Sequence, residues 1–184
     1  MRRALLLALA LAGCAEMRTP APPPADPALT GGVAPFPGPA VAALALRDFD
    51  RAGAALEGRP AAAALAAARL EWLALALGPA GELAAMPDSV RFAMARALEE
   101  VRAALAIHPA SGGTPAIAAL LEASRRLERG EEPALGPPVF RDVQPNARQR
   151  LEQPGPLPNA ALVTGGIVEE LGRGRREADV GIRP

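Results

Sequence analysis

Cys14 carries the only thiol in the chain. A thiolate is a strong nucleophile, so this sulfur is the first place to look for covalent chemistry. It sits directly behind an apolar run of nine residues, Ala4 to Ala12, which is itself preceded by Arg2 and Arg3. A membrane-spanning helix needs roughly 20 apolar residues, so this run is too short to span. Its length and basic flank fit a secretory signal peptide over residues 1–13. Twin-arginine export is not indicated, because the pattern around Arg2-Arg3 is missing. The other reactive side chains form no constellation. His108 is the only histidine, so no cluster of imidazole metal ligands can form within one chain. Ser89, Ser111 and Ser124 stand in no Gly-x-Ser-x-Gly elbow. The stretch Ser111-Gly112-Gly113-Thr114 lacks the Gly-Lys-Ser/Thr of a phosphate loop. Glu99-Glu100 and Glu131-Glu132 are adjacent acids, which point about 100° apart on a helix and read as solvated charge. The expected reading is a protein that is not an enzyme, with no metal and no cofactor.

The quartet Leu11-Ala12-Gly13-Cys14 resembles the lipobox of bacterial lipoproteins. The resemblance covers about 14 of 184 residues. It implies that the Cys14 sulfur receives a diacylglyceryl group, that the signal is cut before Cys14, and that the new amine can be acylated. A lone thiol in an oxidising compartment is otherwise a liability. Each buried lipid methylene stabilises attachment by about 0.8 kcal/mol, and two or three chains make a durable anchor. In Gram-negative lipoproteins an aspartate after the cysteine commonly signals inner-membrane retention. Ala15 stands there instead, so the resemblance implies the outer membrane, facing the periplasm.

The composition narrows the partners. All twenty basic residues are arginine, and there are 44 alanines and 21 prolines. Without residues 1–13 the chain keeps 18 arginines against 20 acids, a formal charge of −2. That balance argues against nucleic acid, which is held by phosphate neutralisation. There is no tyrosine, one tryptophan and four phenylalanines, so stacking platforms for bases are scarce.

Residues 14–38 combine the lipidation site with a Pro-rich stretch that has no period. They are expected to be a disordered or polyproline-like tether reaching roughly 70 Å at full extension. A helical domain follows over residues 39–129. Val41, Ala45, Phe49, Ala52 and Leu56 draw one apolar stripe, predicting a helix over 39–57 closed by Gly58. A second helix is predicted over 60–77, opened by Pro60 and closed by Gly78-Pro79. Its leucines fall on two arcs, Leu65, Trp72 and Leu75 on one, and Leu70, Leu73 and Leu77 on the other. Arg69 lies between them and is expected to extend its guanidinium to water; a buried or half-buried ion pair with Asp48, Asp50, Glu99 or Glu100 is the alternative. Glu71 is expected on the far side. A helix apolar nearly all round is usually buried.

A third helix is predicted over 88–107, with Val90, Met94, Ala97, Val101 and Ala104 as its seam, and His108 continuing it. There His108 would bond the terminal carbonyls. Arg96 with Glu100, and Glu99 with Arg102, have solvent-side pairing distances. A fourth helix, 115–129, is capped by Thr114 and faces inward through Ile117, Leu120, Ser124 and Leu127. Short connections suggest two αα-hairpins in a small antiparallel four-helix bundle, an all-α fold. Residues 130–184 read as a Pro- and Gly-rich extension with short helices near 145–152 and 158–171. The second of these is weakened by Gly165-Gly166. Arg173, Arg175 and Arg176 lie in a polar tail.

Such an alanine-rich body buries limited apolar area. One arc of the second helix is therefore expected to need a partner, either an envelope protein or a second copy. Leu65, Arg69, Trp72, Leu73 and Leu75 are the candidate partner or ligand surface. The expected function is a membrane-anchored structural or protein-interaction lipoprotein. The alternative is a carrier holding an apolar small molecule or lipid between helices, lined by Leu65, Trp72, Leu75, Val101 and Leu120.

Overall fold

The computed structural model describes residues 23–32, 34–141 and 146–181, with side chains described to residue 177. Cys14, the expected signal peptide over residues 1–13 and the first part of the expected tether lie outside the described residues. Among the described residues the fold is all-helical, with eight α-helices and no strand. These are α1 (Pro27–Thr30), α2 (Pro37–Asp48), α3 (Asp50–Gly53), α4 (Pro60–Ala76), α5 (Asp88–Ala104), α6 (Thr114–Glu128), α7 (Asn146–Glu152) and α8 (Pro158–Gly181).

Proline and glycine set most of these limits. Pro60 and Pro115 stand in the first turns of α4 and α6, where a missing N–H costs nothing. Alanine, the best helix former, supplies much of α4. The first predicted helix behaves differently. Its regular part stops at Asp48, and Arg51 and Ala52 adopt left-handed backbone angles, φ 49° and 57°. The chain then turns through Gly53 into a 3₁₀ segment, Ala54–Leu56. This turn is held from far away: Leu157 N–H donates to the Ala52 carbonyl at 2.9 Å.

The helix α4 forms the axis of the molecule. Its most extensive neighbour is α6, and α2, α5 and α7 cover its other sides. Small residues such as Ala63, Ala64, Ala67, Ala116 and Ala123 are buried on α4 and α6, and Ser124 Oγ donates to the Ala61 carbonyl at 2.9 Å. The helix α5 packs mainly along α8, and α2 packs on both α4 and α8. Of the two hairpins expected, α2 does pack on α4, whereas α5 and α6 make their extensive contacts with α8 and α4 instead of with each other. The C-terminal region also differs from expectation. Rather than ending near 171, α8 runs for 24 residues. It places Ala160, Val163 and Ile167 in the same core as α2 and α4 and buries Thr164. Residues beyond 129 therefore complete the body.

The reason lies at the start of α8. Glu100 of α5 accepts hydrogen bonds from Asn159 N (3.2 Å), Ala160 N (3.1 Å) and Asn159 Nδ2 (2.7 Å). A carboxylate at a helix N-terminus satisfies otherwise free N–H groups and suits the helix dipole. This use of Glu100 replaces the expected pairing with Arg96. Mid-helix Gly166 offers a test of how α8 is stabilised. A Cβ there meets no atom within 4 Å. Gly166→Ala is expected to raise stability by about 0.5–1 kcal/mol, the helix-propensity gain, measured by urea denaturation. A destabilised variant would mean that α8 is not helical through this position.

Candidate functional site

The five residues singled out on the second predicted helix lie on α4. Trp72 (2 % exposed), Leu73 and Arg69 (5 %) are buried, and Leu65 and Leu75 are half-buried. The chain itself buries the arc of Leu70, Leu73 and Leu77, and on the other arc it buries Trp72 while leaving Leu65 and Leu75 half-buried. Part of the cover comes from residues assigned above to the tether. Leu29 is fully buried, and Pro23 accepts a hydrogen bond from Trp72 Nε1 at 3.3 Å. Residues 23–31 form a strap that lies along α4.

The strap is built from local signals. Asp26 caps α1 by accepting from Ala28 N at 2.9 Å, Pro27 opens the single turn, and Gly31 closes it with φ 71°. A one-turn helix leaves its carbonyls without helical partners. Arg69 takes two of them, donating from Nε to Leu29 O (3.0 Å) and from Nη2 to Ala28 O (3.2 Å). Its Nη1 donates to Asp48 Oδ2 of α2. So Arg69 does not reach water; its fork ties α4, α2 and the strap together. Burial pushes the Asp48 carboxyl above its ordinary range, against the pull of Arg69, Arg47 and Arg59.

Asp26 behaves in the opposite way. Its bond from Ala28 N–H holds the carboxyl below the ordinary range, outweighing burial and helped by Arg125. A lowered folded value means that this contribution is complete above the unfolded value near 3.8 and is lost as pH falls through the folded one. Acidification below that point is expected to loosen the strap and change the emission of Trp72, the only tryptophan. Asp26→Asn, which keeps a capping side chain, is expected to flatten that pH dependence. An unaltered profile in the variant would remove Asp26 from this role.

A second polar junction joins three helices. Glu71 of α4 is 1 % exposed. It accepts two bonds from Arg102 of α5, from Nε at 2.6 Å and Nη2 at 2.7 Å, and one from Gly113 N, at the start of α6, at 2.8 Å. Glu71, expected on the far side of its helix, and Arg102, expected to pair with Glu99, instead bind each other between α4 and α5. The Glu71 bond holds the Arg102 guanidinium pKa above its ordinary value. The loop must pass close by: a Cβ on Gly112 would lie 1.9 Å from Arg102 Nη2. Nothing in the local sequence marks either pair, because both unite residues distant along the chain.

His108 is exposed, beyond the end of α5. Its Nδ1 accepts from Ala110 N at 3.2 Å and caps a 3₁₀ turn, while its backbone N donates to Val139 O at 2.8 Å. It does not bond the last carbonyls of α5, as expected. Among the described residues, no three His, Cys, Asp or Glu side chains form a metal-ligating group, and no helix is long and apolar enough to cross a membrane. Glu131 pairs with Arg129, and Glu132 with Arg148. Val101 and Leu120, expected around a carried ligand, are buried in the core. Comparison with protein-family models, with curated proteins and with solved structures gives no match.

Proposed function

We propose that this chain is a lipid-anchored lipoprotein of the cell envelope, with a structural or protein-interaction role and no catalysis of its own. The reading rests on Cys14, placed behind the apolar run Ala4 to Ala12. What the fold adds is the distance at which the body is held. The strap fastens the chain to α4 from Pro23 onward. Nine residue steps separate Cys14 from Pro23. At no more than about 3.6 Å each, they keep these residues within about 32 Å, whatever their conformation. The long spacer read from composition is thereby shortened to less than half. On this reading the strap end of the body lies within about 32 Å of the lipid surface, and its partner is within reach of that surface. The outer membrane, facing the periplasm, is the proposed site, with an envelope protein or a second copy as the partner. The all-helical body would present the surface for that contact.

In-cell crosslinking followed by fractionation tests this. The parent chain is expected in the membrane fraction, crosslinked to a membrane-proximal protein or to itself. Cys14→Ser is expected in the soluble envelope fraction without that product. Equal partition of the two chains would reject the anchor, and an anchored chain with no crosslinked product would reject the interaction role.

A further inference from the structure

A surface cleft of about 410 Å³ lies where the first turn of α4 meets the end of α2, α7 and the end of α6. Four arginines line it, Arg47, Arg59, Arg69 and Arg148, against two acids, Asp48 and Glu128. The arginines are not equivalent. Arg69 is consumed by Asp48 and the strap carbonyls. Arg148 is held by Glu132 and Glu152. Arg47 and Arg59 are exposed, and among the described residues neither has a carboxylate within ion-pair distance. Both act on Asp48 only at longer range, while Asp48 already holds Arg69. The cleft thus contains a fixed ion pair at its floor and two uncommitted guanidinium groups at its rim. Arg59 is also the residue before α4, and it gives that helix no side-chain cap.

We infer that this cleft binds a phosphate-bearing anion. Two guanidinium forks present more donors than a single carboxylate can accept, and a tetrahedral phosphate offers oxygens in the directions needed. The free N–H groups of the first turn of α4 favour the same charge. Leu65 and Leu127 add apolar wall to the cleft, so it has room for an organic group attached to the phosphate. The same chemistry is met in two sources: a soluble phosphate, and the headgroup of an anionic phospholipid. The site does not depend on the lipid anchor.

The test uses the chain carrying Cys14→Ser, which has no attachment point, so a failed anchor and a failed site give different results. One arm measures thermal protection by inorganic phosphate against chloride at equal ionic strength. The other measures flotation with phosphatidylglycerol-containing vesicles against pure phosphatidylcholine vesicles. Binding in at least one arm is expected to weaken at least about tenfold in Arg47→Glu/Arg59→Glu, the equivalent of one charge-assisted hydrogen bond. Arg175→Glu/Arg176→Glu makes the same change of net charge on exposed residues of α8. It is expected to keep binding within about twofold, as a remote surface charge does. Protection by inorganic phosphate without vesicle binding assigns a soluble ligand; vesicle binding assigns the headgroup. The inference is overturned if neither arm shows binding, or if the two double variants weaken it equally. Both rim arginines are exposed and unpaired, so circular dichroism of the variants is expected to match the parent.

Discussion

Glu71→Ala is expected to cost about 3–5 kcal/mol of stability, the range for breaking a buried ion pair. Three elements lose a connection at once. Arg102 keeps a charge, only partly exposed, with no carboxylate against it, and Gly113 N–H loses its acceptor at the start of α6. An orphaned buried donor costs more than its bond contributed when formed. A folded domain is only about 5–15 kcal/mol more stable than its unfolded chain. The variant is therefore expected to be partly unfolded at physiological temperature. Urea denaturation followed by circular dichroism reads the change. Replacing both partners with leucine isolates the charge: Glu71→Leu/Arg102→Leu is expected to recover most of the loss. If Glu71→Ala alone is as stable as the parent chain, the junction does not hold α4, α5 and α6 together.

Arg69→Ala is expected to cost a similar amount, about 3–5 kcal/mol, with a different signature. The variant leaves Asp48 half-buried without its cation and returns the Ala28 and Leu29 carbonyls to no partner. Because the strap is bound by these contacts and by Leu29, it is expected to detach before the rest unfolds. Trp72 then loses its neighbour at Pro23. Its emission is expected to shift to longer wavelength, and limited proteolysis to cut within residues 23–36. Unchanged emission with unchanged protease resistance would show that the strap is held by something other than Arg69.

The contrast between these two junctions and the helices around them marks what the sequence could disclose. Helical content and most limits of α4, α5, α6 and α7 follow from local chemistry: proline at starts, glycine at stops, and apolar residues at three- and four-residue spacing. The strap also had a local signal. Asp26-Pro27 followed by Gly31 is a cap, a first-turn proline and a stop. The surrounding prolines made the segment read as spacer. By contrast, nothing in the stretch around Arg51 calls for a left-handed turn, which is fixed by Leu157 more than a hundred residues later. Arg69 and Glu71 sat in an apolar helix with several acids and arginines to choose from. Which one each meets depends on how α2, α5 and α6 cross α4, and spacing within one helix carries no record of that. Likewise, Gly165-Gly166 weakened the local case for α8, while its burial against α2 and α5 and its cap from Glu100 decide the outcome.

Everything proposed about where this body works rests on fat attached at one sulfur. Growth with a clickable fatty acid, followed by mass spectrometry of the purified protein, examines that bond. The account predicts label on a chain that begins at Cys14, with the mass of a diacylglyceryl thioether on that residue, and no label on Cys14→Ser. A mature chain that starts elsewhere, or carries an unmodified thiol at position 14, would contradict it.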